Sequence, residues 1–167
     1  MATGREMKLT GATGEFLVAA ELCRRGLMAT PFAGNVPHYD IIASGQAGGH
    51  LAVQVKTVTK GSWQFTVTQF VEIRFDGQRQ IVGARKEEPY PGLWMVLVAL
   101  AAEGDSSDHF YVLTWDELRD LLVERHRAYL GKHGGVRPRS PKSTHVSLPQ
   151  EALAPFRNRW QILSGKL

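Results

Sequence analysis

From Leu93 to Leu100 the chain reads Leu-Trp-Met-Val-Leu-Val-Ala-Leu, with no polar residue among them. A strand with one face in water alternates; a strand covered on both faces of its sheet reads as a continuous apolar run. This stretch therefore predicts a central strand and excludes a two-layer fold with one wet sheet face. The full run to Ala102 is about half the length a membrane span needs. His109–Leu113 returns beyond a polar turn at Ala101–Asp108 as the neighbouring strand. The chain of 167 residues, 43% hydrophobic and 22% charged, suits one domain spanning 1–167, large enough to bury its own core. The lone Cys23 precludes an internal disulfide, and with no apolar leader at the N-terminus it predicts a cytoplasmic protein. A net charge of +4 is a mild sign of an anionic partner.

Ahead of that strand, Tyr39–Ser44 and Leu51–Val58 flank the Gly-rich Ser44–His50 and predict a β-hairpin. A turn centred on Ala47 sets Asp40 across from Gln54; one centred on Gly48 sets it across from Lys56. Side chains alternate along a strand, so Asp40, Gln54 and Lys56 share a face in either register. A short, polar, loose Met1–Leu9 precedes a helix from about Thr10, with Thr10 or Thr13 as its cap, to Arg25 at Gly26. On a helical wheel Phe16, Val18, Ala19, Ala20, Leu22 and Cys23 form an apolar arc, with Glu21, Arg24 and Arg25 opposite. Glu15 falls inside the arc, where a carboxylate needs a cation, a metal or a proton, unless it leans to water near the helix start.

Leu27–Ala33 predicts a short strand, with a turn through Gly34-Asn35 and Pro37 after it. Trp63–Thr68, Val71–Phe75 and Gln80–Val82 alternate or follow turn signals, so the middle of the chain reads as β-structure. Thr114-Trp115-Asp116-Glu117 is a capping box opening a helix to about Leu130, with Gly131 beyond its end and Leu118, Leu121, Leu122 and the stem of Arg125 inward. His126–Gln150 contains no acid and accumulates Lys132, Arg137, Arg139 and Lys142 among Gly, Pro and Ser. It predicts a flexible basic loop near 131–145. A last helical segment follows, opened by Ser147–Gln150 and broken at Pro155, with Leu153, Phe156, Trp160 and Leu163 packing inward.

Glu15, Asp40, Gln54 and the Val55 carbonyl form an all-oxygen donor set suited to Mg²⁺ or Mn²⁺. One Cys and six scattered His show no zinc spacing. Lys56 beside such a site is placed to orient or help deprotonate a water; from spacing alone it reads as a surface lysine in a weak salt bridge with Asp40.

Gly14-Glu15 on a first helix, Tyr39-Asp40 on a strand and Gln54-Val55-Lys56-Thr57 on the next resemble the PD-(D/E)XK nuclease superfamily, in particular small stand-alone members similar to archaeal Holliday-junction resolvases. Gly11–Gly26 and Asn35–Thr57 carry the resemblance, about a third of the chain. It implies an α/β restriction-endonuclease-like fold, with a central mixed sheet flanked by helices on both faces. It also implies a divalent-metal-dependent DNA endonuclease, with Asp40 as principal metal ligand, Glu15 as the helix-borne acid and Lys56 as the catalytic lysine. Gln54 stands where the family usually has Asp or Glu, which removes one negative charge. Tyr39 replaces the usual Pro, and the family's helix after the hairpin is missing from Gly61–Val82. A nuclease-fold module that binds DNA or a protein without cutting is the alternative.

Arg5, Lys8, Arg24, Arg25 and the cations of the basic loop are the candidate phosphate contacts, which position without specifying sequence. No reading helix or aromatic RNA-binding signature is present, so selectivity would come from DNA shape, ends or junctions. The resemblance further implies a homodimer whose two sites cut two strands. Trp63 and Trp94 are expected in the core.

Overall fold

A computed structural model describes residues 3–32, 36–102 and 107–164. The chain begins with α1 (Gly4–Arg24), capped at Thr3: its side chain accepts from the Glu6 N–H, and the Glu6 carboxylate accepts from the Thr3 N–H. This box moves the helix start to Gly4, so Thr10 and Thr13 are not caps and the described part of the expected loose segment is helical. β1 (Met28–Pro31), β2 (Ile41–Ser44) and β3 (His50–Val58) follow, then β4 (Trp63–Thr66), a 3-10 turn at Val67–Gln69, β5 (Val71–Asp76) and β6 (Arg79–Arg85). β7 (Trp94–Ala99), β8 (His109–Thr114), α2 (Trp115–Lys132), β9 (His145–Leu148), a 3-10 segment (Gln150–Phe156) and the one-turn α3 (Gln161–Ser164) complete it. The expected turn at Gly34-Asn35, the end of the first strand at Ala33 and the middle of the 101–108 turn lie outside the described residues.

The main sheet has the order β1-β2-β3-β7-β8, with β3 and β7 parallel and the other pairs antiparallel. Every residue of β7 is buried, as its unbroken apolar run requires. On one face α1 presses Val18 and Leu22 against Val53, Val55, Val96 and Val98, with Trp160 and Leu163 closing the layer. On the other face Leu118 and Leu122 of α2 meet Leu97, Leu113, Trp63 and Trp115. The crossover from β3 to β7 is indeed β-rich: β4 pairs with β9, and β5 with β6 around the Asp76-Gly77 turn. Trp63 and Trp94 are core residues, 2% and 7% exposed.

Helix faces depart from the wheel in an instructive way. α1 packs through Gly14, Val18 and Leu22, leaving Phe16 at 66% exposure and Ala20 and Cys23 on the surface. A wheel weighted by hydrophobicity follows large side chains, whereas a helix close to a sheet is seated by its small ones. In α2 the stripe runs through Trp115, Leu118, Leu122, His126 and Leu130; Arg125 is exposed, its Nε donating to the Ser147 carbonyl. Gly131 lies inside α2, which ends at Lys132. The basic 131–145 stretch therefore starts in a helix and ends in β9, with only 133–144 as turns. The final segment opens at Pro149 without a side-chain cap.

Candidate active site

The hairpin register pairs Ile41 with Val53 and Ser44 with His50, which centres the turn on Ala47; the regular pairing ends at Ile41, and Asp40 just before it bonds to Val53 as well. Gly48 makes this turn possible at φ +85°. Asp40 is held on both sides just before β2: its N–H donates to the Val53 carbonyl at 2.9 Å, and its own carbonyl accepts from the Phe32 N–H at 3.0 Å. Its Oδ2 accepts from the Val55 N–H at 2.7 Å. The carboxylate thus has a fixed orientation, set by the adjoining strand edge that β2 does not cover.

Glu15 arrives from the helix. An ideal Cβ on Gly14 would lie 1.9 Å from the Thr57 Oγ1, so only glycine lets α1 approach β3 this closely. The next residue is then half-buried beside the strand. The Glu15 carboxyl is pushed above its ordinary range: burial is the largest cause, the Asp40 carboxylate adds to it, and the Lys56 ammonium partly offsets both. Three groups predicted from separate segments therefore sense one another electrostatically. Lys56 is exposed, and its backbone carbonyl is anchored by the Trp63 indole N–H at 2.8 Å. Gln54 is half-buried on β3, between Val53 and Val55, whose backbone groups both bond to Asp40.

A raised Glu15 carboxyl has a definite consequence for stability. The folded state binds the proton more tightly than the unfolded chain, so this group's contribution falls as pH rises through 4.5 toward the folded value. Glu15→Gln is expected to raise the melting temperature at pH 8 and leave it unchanged near pH 3.5. An equal shift at both pH values would show that the carboxylate is not under strain from its surroundings.

The predicted phosphate contacts do not form one patch. Arg5 and Lys8 are exposed on the first turns of α1, roughly 25 Å along the axis from Arg24 and Arg25. Those two are engaged with Glu21, and Arg25 also stacks on Trp160. Lys132, Arg139 and Lys142 are exposed, while half-buried Arg137 lies over the Tyr129 ring. Sequence reasoning missed three features here. One is the edge-on cluster of Phe32, Tyr39 and Tyr90, whose middle ring is the residue before Asp40. The second is a groove of about 300 Å³ between Lys56 and Gln69. The third is His38, two residues before Asp40, in the left-handed region at φ 78°. Only the Pro37-His38 turn left a trace in the sequence.

The structure of a bacterial homing endonuclease superposes on this chain with TM-score 0.51 at 16% identity, covering 95% of this chain and 93% of that one. The chain has the restriction-endonuclease-like fold, as the PD-(D/E)XK resemblance implied. Hjc, a Holliday junction resolvase from the archaeal hyperthermophile Archaeoglobus fulgidus, superposes with TM-score 0.47 at 14% identity, covering 94% and 97% of the two chains. No protein-family model matches the sequence, and no curated protein matches it. Among the described residues no helix is long and apolar enough to cross a membrane. Within the restriction-endonuclease-like fold, Glu15, Asp40, Gln54 and Lys56 occupy the first helix and the first hairpin of the sheet.

Proposed function

We propose that the protein is a divalent-metal-dependent DNA endonuclease that hydrolyses phosphodiester bonds with water as nucleophile. The observation that carries this reading is the electrostatic convergence of Glu15 on α1, Asp40 just before β2 and Lys56 on β3, the middle strand of a restriction-endonuclease-like sheet. Glu15, pushed upward in part by the Asp40 carboxylate, forms with it a donor pair whose repulsion Mg²⁺ or Mn²⁺ would relieve. Asp40 and Glu15 would hold the ion, with the Gln54 amide oxygen as a neutral third donor. The Val55 N–H is turned to Asp40, and in antiparallel pairing a residue's carbonyl leaves on the same edge as its N–H. That puts the Val55 carbonyl in reach as a fourth donor. When bound, the ion lowers the pKa of a water and offsets charge on the phosphoryl oxygens. Lys56 orients the attacking water and balances the negative charge that grows as the bond breaks.

The substrate is read as DNA selected by structure and not by sequence, since the cations are dispersed along the surface and no helix is built to enter a groove. A homodimer would place two such centres on two strands. The direct test is cleavage of duplex, single-strand, flap and four-way-junction DNA with Mg²⁺, Mn²⁺ or chelator. Divalent-dependent cleavage that drops at least a hundredfold in Lys56→Ala is expected. Equal trace cleavage in wild type and variant ends the proposal.

One observation favours a binding module without catalysis: the described residues contain no cluster of three or more His, Cys, Asp or Glu. With Gln54 neutral, only two carboxylates face a metal. Calorimetry with Mn²⁺ separates the readings, since the inert module gives no heat while its DNA affinity still falls steeply with salt.

A further inference from the structure

Between α2 and β9 lies a cavity of about 350 Å³ that joins two of the expected phosphate contacts, Lys132 and Arg137, with Arg125 and His126, which the sequence did not mark. Arg125, His126, Tyr129, Lys132, Arg137 and His145 line it, and no acid does. β9 pairs with β4 along one edge only. The Thr144 carbonyl accepts from the Val67 N–H, so strand alternation turns the His145 and Ser147 carbonyls to the other edge. There Arg137 Nη1 donates to the His145 carbonyl at 2.5 Å and Arg125 Nε to the Ser147 carbonyl at 3.1 Å. Carbonyls two residues apart on a strand are about 7 Å apart, which sets the spacing of the two guanidinium anchor points. Each fork uses one of its five N–H groups in this way. Arg137 is held further by the Tyr129 ring, 4.8 Å from its guanidinium carbon. Two immobilised forks facing one cavity are preorganised for a tetrahedral dianion or a phosphodiester.

The cavity wall gives a second, independent mark. Gln80 Nε2 donates to the Pro141 and Ser143 carbonyls at 2.6 and 2.9 Å, which assigns its Oε1 as the acceptor facing His126 Nε2 at 2.9 Å. His126 Nε2 is therefore the protonated nitrogen. His126 is 1% exposed, and its Nδ1 has no hydrogen-bond partner among the described residues. Nδ1 is then an unprotonated acceptor, which the P–OH of a hydrogen phosphate can engage, whereas a phosphodiester has no proton to give it and would be held by the two guanidinium groups alone.

We infer that this cavity binds a phosphate group between Arg125 and Arg137, as an anchor separate from the candidate metal centre. The phosphate chemistry stands on the cavity itself; only its source in nucleic acid rests on the proposed function. A backbone phosphate held here would fix the strand relative to Lys56 through the rigid ribbon, since Trp63 of β4 ties directly to the Lys56 carbonyl.

The test titrates the full chain with inorganic phosphate while the His126 ring resonances are followed by NMR. In parallel, binding of a labelled DNA duplex is measured across a salt series. Arg125→Ala, Arg137→Ala and Lys132→Glu are compared with wild type; Lys132 is exposed on the rim, so its variant keeps the fold. Saturable His126 shifts in wild type, weakened at least tenfold in the variants, are the expected result. If the phosphate belongs to DNA, the variants also bind duplex about tenfold more weakly with a salt slope lower by about 1, while Mn²⁺ heats stay unchanged. Phosphate binding with no DNA effect supports the site and assigns it to a free phosphate-bearing ligand. Absence of His126 shifts together with unaltered DNA binding in all three variants overturns the inference. DNA cleavage without any phosphate response would retain the proposed function and remove this site.

Discussion

Asp40→Asn is expected to lower divalent-dependent DNA cleavage by about 10³-fold or more while leaving the fold intact. The amide keeps an oxygen to accept from the Val55 N–H, so the local backbone is undisturbed; what disappears is the negative charge. Asp40→Ala should lose the same activity with an added stability cost of about 1–3 kcal/mol, because it leaves that N–H without its acceptor. Both substitutions relieve Glu15 of a neighbouring carboxylate, so its titration, followed by NMR, should move back toward the ordinary range. This second readout needs no activity and isolates the electrostatic coupling. Cleavage by Asp40→Asn within tenfold of wild type would remove Asp40 from the centre.

Gly14→Ala should destabilise the protein by about 2 kcal/mol despite alanine's better helix propensity. Propensity favours alanine by about 1 kcal/mol. Against that, the new methyl would lie 1.9 Å from the Thr57 Oγ1 and 3.0 Å from its Cβ and Cγ2. Overpacking of this kind costs typically 1–3 kcal/mol and sometimes more, and a residue inside a nine-residue strand has little room to retreat. For a domain of this size the net loss corresponds to a melting temperature lower by about 4–8 °C. Thr57→Ala should recover much of it in a double-mutant cycle, because it removes the clashing hydroxyl, which is itself buried without a partner. Mn²⁺ affinity should fall in the single variant as well, since any outward shift of α1 carries Glu15 away from Asp40. A stability cost unchanged by Thr57→Ala would locate the conflict elsewhere.

The hairpin and β7 were legible because their signals are local. Alternation, the Gly-rich turn and an unbroken apolar run each reflect strand geometry within a few residues, and the shared face of Gln54 and Lys56 follows from alternation along β3. The α2 capping box was legible for the same reason. The Thr3–Glu6 box has the same form, but the turns it opens are polar and exposed, and the buried face of α1 begins only at Gly14. The faces of both long helices were less legible. Patterning turns Phe16 and the stem of Arg125 inward, and both residues are exposed in the fold: α1 meets the sheet on the side where Gly14 permits close approach, and Arg125 reaches out to the Ser147 carbonyl.

What the sequence by itself determined is the strands of the main sheet and the two long helices, through short-range periodicity and capping, and the four candidate site residues, through their order and spacing; β9 falls in a stretch that reads as a basic loop and a helix cap. Tertiary structure alone decided the register that centres the hairpin on Ala47, the contact of Gly14 with Thr57 that delivers Glu15 to Asp40, and the pairing of β4 with β9 across some eighty residues. These are contacts between distant segments, selected by which surfaces fit when the two faces of one sheet are covered at once. No local pattern encodes that fit, which is why the Arg125–Arg137 cavity became visible only in the folded chain.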